Sequence, residues 1–159
     1  LLSSANALLL LRPHLADLHV YPELHGFLSE LATDHNVRLG THTEFPDTNT
    51  LLPFVDLVIS DYSSIYHDFL LLDRPMVFIP YDSDDMEDQQ GFLYDYFANL
   101  PGPAVQSFEE FVFEIKIALQ GDDLYRENRD ALRNKIHKYC DTESSRRVGD
   151  LVIRSLQEL

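Results

Sequence analysis

The stretch Asp56-Leu57-Val58-Ile59-Ser60-Asp61-Tyr62-Ser63-Ser64-Ile65 decides the fold. Its first half is a short, continuous apolar run, the pattern of a strand covered on both faces. Its second half passes at once into Ile65, Phe69, Leu70 and Leu72, which lie on one face of a helix. A covered strand that runs straight into a helix is half of a βαβ unit, and βαβ units build parallel sheets.

The neighbouring segments repeat the pattern. Upstream, residues 7–12 form a second apolar strand ended by Pro13, and residues 21–35 carry Leu24, Phe27, Leu28 and Leu31 at helical spacing. Residues 37–41 read as a strand, and 48–54 as a short helix bent out at Pro53. Downstream, residues 75–81 form a further strand. An acidic loop over 82–88, an aromatic stretch over 91–100 and the turn Pro101-Gly102-Pro103 lead to a fifth strand at 104–106. Ser107 caps a helix to about Gln120, with Glu110 completing a capping box, and residues 122–139 and 144–159 are two more helices. The expectation is one α/β domain over 1–159, an open parallel sheet with helices on both faces. The last three helices would fold back over the sheet or reach a neighbouring domain.

Composition narrows the function. The chain has 159 residues, 45% of them apolar, enough for a core. Twelve Lys and Arg against 27 Asp and Glu leave a net charge of −15, which repels nucleic-acid phosphates and anionic lipid headgroups. No nucleic-acid partner and no direct membrane contact are therefore expected. Cys140 is the sole cysteine, so neither an internal disulfide nor a cysteine-based zinc site can form, and a cytoplasmic location is the simplest fit. No stretch approaches the ~20 apolar residues of a membrane span. The chain opens abruptly on Leu1-Leu2-Ser3-Ser4 without a methionine, which reads as the edge of a piece of a longer protein.

In a parallel α/β sheet ligands bind beyond the carboxyl ends of the strands. Three polar clusters fall there: Arg12-Pro13-His14, Ser60-Asp61-Tyr62-Ser63-Ser64, and Tyr81-Asp82. Ser63 and Ser64 stand at a helix start, where free amides and hydroxyls can cradle a phosphate without glycine. The plainer alternative is that Ser63 or Asp61 only caps that helix. His14, in a loop beyond a strand, suits a general base or a donor to a phosphate oxygen, or is a solvent-facing histidine like most of the other six. The acidic loop lacks the central Gly and terminal Glu of a calcium loop and reads as a solvated charge run. The aromatics Phe92, Tyr94, Tyr96 and Phe97 read as core rather than as a ligand shelf. Walker, dinucleotide and G-x-S-x-G motifs are absent.

The run from Asp56 to Ile65, followed by Asp68-Phe69-Leu70-Leu71-Leu72-Asp73-Arg74-Pro75-Met76-Val77-Phe78 and by Tyr81-Asp82, resembles the CDP-glycerol glycerophosphotransferase family of teichoic-acid primases and polymerases and related capsule polymerases. Arg12-Pro13-His14, Gly91-Phe92 with Tyr94-Asp95-Tyr96, Pro101-Gly102-Pro103, and Asp141 with Ser145 and Arg147 follow in the family's order over about residues 8–153.

The resemblance implies the Rossmann-like C-terminal half of a GT-B fold, the half that holds the nucleotide donor. It implies transfer of an alditol phosphate from a CDP-alditol to a polymer hydroxyl, with the acceptor held by a missing N-terminal half. The whole enzyme would be peripheral at the inner face of the membrane, without metal or cofactor. His14 would act at the transferring phosphate. Arg12, Asp61, Ser63 and Ser64 would bind the donor, with Ser145 and Arg147 near its diphosphate or alditol end. The sequence departs from the family at Gln90, where an Arg is usual, and at Thr142, where a Gly is usual, so CDP-ribitol stands beside CDP-glycerol as donor. His137 is the nearest counterpart of the family's second functional histidine. Two other readings remain: a nucleotide-sugar glycosyltransferase domain of the same fold, and a non-catalytic flavodoxin-like binding domain.

Overall fold

A computed structural model describes residues 1–81 and 95–158. Its parallel strands are β1 (Leu9–Leu11), β2 (Val37–Leu39), β3 (Val58–Ser60) and β4 (Met76–Phe78). The helices are α1 (Leu15–Val20), α2 (Leu24–Leu31), α3 (Ile65–Phe69), α4 (Phe108–Gln120), α5 (Arg126–Ile136) and α6 (Ser144–Gln157). Short 3₁₀ turns, among them Thr48–Thr50, Leu52–Phe54 and Leu70–Leu72, fill the connections.

The strands pair in parallel with a helical crossover between partners, as the apolar runs imply. Leu10 lies opposite Arg38 in β1–β2, and Ile59 lies opposite Val77 in β3–β4. Among the described residues the hydrogen bonds form these two ladders, not one continuous sheet. The fifth strand is reduced to one parallel bridge: Phe78 N–H donates to Pro103 O (2.8 Å) and Val105 N–H to Phe78 O (2.9 Å). Pro101 and Pro103, which have no N–H to donate, flank Gly102 and shorten the ladder there.

The core is centred on β4. Met76 and Phe78 face one cluster with Tyr66, Phe69, Leu70, Tyr96 and Leu132, while Val77 faces a second with Val105 and Ile115. This is the two-residue alternation of a strand covered on both sides. β1 does not share that environment: its three leucines are only partly buried and Leu8 is 61% exposed, so its apolar run overstated its burial.

Helix α1 lies where the sequence reading assigns no element, and His14, expected in a loop, is its N-cap. The helix expected over 21–35 is trimmed to α2. Of the three C-terminal helices, α4 packs on β4 through Ile115, and α5 packs on the Leu70–Leu72 turn through Leu132 and Arg129. Helix α6 buries no residue and leaves Val148, Leu151, Val152 and Leu156 exposed.

Gly102 allows the closest approach among the described glycines. A Cβ built there would meet Met76 O at 2.1 Å. That carbonyl belongs to β4 and has no room to retreat, so Gly102→Ala should destabilise by about 3 kcal/mol, the upper end of the usual overpacking penalty. Urea unfolding of the variant checks this, and an unchanged midpoint would contradict it.

Candidate functional site

The turn after β3 is built by Asp61. Its carboxylate Oδ1 accepts the Ser63 amide (2.9 Å), and its carbonyl accepts the Tyr96 hydroxyl (2.8 Å). Tyr96 is buried and lies 5.3 Å from the Tyr62 ring, so the turn is fastened to the core from below. Asp61 is thus engaged in shaping the turn. Ser63 and Ser64 are exposed, and Ser64, at the N-cap position of α3, makes no side-chain cap bond. Neither hydroxyl is used to hold the helix, and α3 itself is only five residues long.

His14 is the N-cap of α1. Its Nδ1 accepts the Ala16 amide at 3.2 Å, while the ring is otherwise exposed. An amide can only donate, so Nδ1 carries the lone pair and the proton of the neutral ring sits on Nε2. In this arrangement Nε2 is a donor. A general-base role would require the ring to give up its cap.

Arg12 differs from the expectation of a donor-binding cation. Its Nε–H donates to Thr48 Oγ1 (2.9 Å). Nη1 donates to Gly40 O (2.8 Å) and Thr41 O (3.5 Å), and Nη2 to Phe45 O (2.8 Å) and His42 Nδ1 (3.2 Å). Five N–H groups meet five acceptors, and the side chain fastens the segment leaving β2 to the end of β1.

Arg147 is similarly engaged. It pairs with Asp141 through two bonds (2.7 and 3.1 Å) and lies over the Tyr139 ring at 4.0 Å. The guanidinium holds the Asp141 carboxyl below its usual range. Ser145 is exposed in the first turn of α6. No hydrogen bond or ion pair among the described residues links His14, Ser63, Ser64 and Ser145 to one another.

His137 reaches α3 rather than open solvent. Its Nε2 lies 2.7 Å from His67 O, and because a carbonyl only accepts, His137 donates. This ties the C-terminus of α5 to the helix that follows Ser64. Burial lowers the His67 pKa; Asp68 opposes the shift and His137 adds to it. A histidine with a lowered folded pKa favours folding above its ordinary value of 6.5 and opposes it as pH falls below. Stability should therefore decline as pH falls below about 6.5, and His67→Gln should flatten that part of the curve. A profile unchanged by the substitution would contradict the assignment.

Among the described residues no three His, Cys, Asp or Glu side chains converge as a metal site. The acidic loop over 82–88, with Phe92 and Tyr94, lies outside the described residues. No helix among the described residues is long and apolar enough to cross a membrane. Sequence reasoning singled out Ser63 and Ser64 as candidates, and did not foresee the Tyr96 tether or the His137–His67 link. An aromatic after an acidic loop and a histidine at a helix end carry no spacing signal.

Comparison with known proteins gives the family of the chain. The teichoic acid poly(ribitol-phosphate) polymerase of Bacillus spizizenii is 32% identical over 119 residues, 73% of this chain and 18% of that protein. The teichoic acid poly(glycerol phosphate) polymerase of Bacillus subtilis is 40% identical over 114 residues, 59% of this chain and 15% of that protein. In three dimensions the wall teichoic acid polymerase TagF superposes with a TM-score of 0.70 and 27% identity, over 95% of this chain and 35% of that one. The chain thus spans about a third or less of the length of these relatives. It shares its Rossmann-like α/β fold with TagF, a GT-B protein. Residues 3–154 match the family described as CDP-Glycerol:Poly(glycerophosphate) glycerophosphotransferase, and the chain belongs to that family.

Proposed function

We propose that this chain is a single donor-nucleotide-binding domain, the C-terminal half of an enzyme that transfers an alditol phosphate from a CDP-alditol to a hydroxyl of a teichoic-acid or capsule-type polymer. The observation that carries this reading is the pair of exposed hydroxyls, Ser63 and Ser64, on a turn that Asp61 and Tyr96 hold without them. A related polymerase, a TagF histidine-to-asparagine variant, has been soaked with CDPG, which supports a cytidine-activated donor here.

On this reading Ser63 and Ser64 donate to the diphosphate. The acceptor hydroxyl oxygen attacks the alditol-bearing phosphorus, the bond to the bridging oxygen breaks, and CMP leaves with the electron pair. The proton of the attacking hydroxyl passes to solvent or to a base on the acceptor half. His14 Nε2–H donates to a non-bridging oxygen, where charge develops. Arg12 acts by shaping the segment beside His14, and Arg147 by closing the Asp141 loop next to Ser145. The polymer acceptor belongs to the remainder of the enzyme, and an active site split between two parts turns over only when both are present. A cytoplasmic location, with the whole enzyme peripheral at the inner membrane face, suits a chain whose one cysteine is an exposed free thiol.

Titration calorimetry with CDP-glycerol, CDP-ribitol, CMP and UDP-glucose tests the reading. Ser63→Ala and Ser64→Ala should each weaken CDP-alditol binding by about 1–2 kcal/mol. Melting should stay unchanged, since neither hydroxyl caps a helix. Lost melting temperature with intact donor affinity would make both serines structural, and tighter UDP-glucose binding would favour a glycosyltransferase.

A further inference from the structure

The segment leaving β2 has a consequence for ligand binding apart from the donor. A guanidinium has no lone pair to offer, so in the Arg12–His42 contact (3.2 Å) His42 Nδ1 is the acceptor. His42 is then neutral, with its proton on Nε2, and Arg12 fixes that tautomer. Between this segment, α1 and α2 runs a groove of about 310 Å³. Pro13, Leu18, Leu28 and Leu39 line it together with His42 and Thr43. No Lys, Arg, Asp or Glu lines it; His19 and His25 are its other titratable residues.

We propose that this groove is a second ligand site, for a neutral amphiphile: an alkyl body against the leucines, and an uncharged hydroxyl or ether oxygen that accepts the His42 Nε2–H. The volume is at the small end of ligand pockets. Apolar walls reward a hydrocarbon body. An anion would lose its hydration there with no cation lining the groove to offset the loss. A donor of fixed direction in an apolar pocket selects for an acceptor of matching position. The Arg12 charge is not a competing anion site, because all five of its N–H groups already have acceptors. The inference stands apart from the Ser63–Ser64 turn and does not rest on the donor assignment.

The test is a titration of the whole chain with n-octyl-β-D-glucoside below its micellar concentration, with n-octyl phosphate as the charged control. Heteronuclear NMR follows the Leu18, Leu28 and Leu39 methyls and the His42 ring nitrogens. In the free chain His42 should show the Nε2–H tautomer. The glucoside should give saturable shifts at the three leucines and at His42, with octyl phosphate at least tenfold weaker. His42→Phe keeps the apolar wall and should weaken the glucoside about fivefold to tenfold, the scale of one net hydrogen bond. His42→Gln, which retains a donor, should recover part of that loss. An Nδ1–H tautomer, octyl phosphate binding as tightly as the glucoside, or shifts confined to the exposed Val20 and Phe27 would each overturn the proposal. CMP added in parallel reports on the donor site, so failure at one site is read separately from failure at the other.

Discussion

Arg129→Ala should cost about 3–5 kcal/mol, the usual loss when one partner of a buried ion pair is removed. Arg129 is only 1% exposed. Its Nη1 donates to Asp123 Oδ1 (2.7 Å), its Nη2 pairs with Asp123 Oδ2, and its Nε donates to Asp73 Oδ1 (3.3 Å). Asp73 closes the 3₁₀ turn after α3 in the left-handed region (φ 50°). The guanidinium therefore locks α5 onto the turn between α3 and β4. Alanine removes the lock and leaves a cavity beside Pro75 and Met76. Both carboxylates are about a quarter exposed and regain water, which keeps the loss within that range instead of beyond it. For a chain of this size the melting temperature should fall by roughly 10 °C. Arg129→Met, which refills the space, should recover part of the loss. The pH dependence has a defined sign. The bond to Arg129 lowers the Asp123 pKa, so the stability it contributes is present above the ordinary value of 3.8 and is lost progressively as pH falls below it, toward the lowered folded-state value. Arg129→Ala should erase that acid-side loss, and wild-type stability in the alanine variant would refute the lock.

The legible parts of the fold are those where one local signal decides. Continuous apolar runs marked β3 and β4, and Ser107 with Glu110 marked the start of α4, where Ser107 Oγ accepts the Glu110 N–H as expected, while the Glu110 carboxylate accepts the N–H of Gln106, one residue before the cap. Charge and apolar count could not reveal the Arg129 lock, since its partners lie 6 and 56 residues away and a charged helix reads as a solvated one. β1 was misjudged for the converse reason: leucines report apolarity, and only the tertiary fold decides what covers them. α6 shows the same limit, with an apolar face that nothing among the described residues buries. At the site, the sequence picked out His14, Asp61, Ser63 and Ser64 but could not divide their labour. Hydrogen-bond direction does that, because it separates side chains that shape a turn from those left open to a ligand. Arg12 moved from the second group to the first, since a guanidinium beside a strand end looks the same in sequence whether it meets a phosphate or five backbone and side-chain acceptors.

Replacing His14 in an enzyme that carries this domain should lower turnover by about 10²–10⁴, the span of a positioned proton donor. His14→Ala confounds two losses, because it also removes the cap on Ala16 and costs about 1 kcal/mol of stability. His14→Asn separates them. The Asn side-chain oxygen is as good an N-cap acceptor as any, so α1 keeps its start, while the Nε2–H that would meet the transferring phosphate is gone. The expected result is wild-type melting with turnover as low as in the alanine variant. Turnover restored by asparagine would mean that His14 only caps the helix.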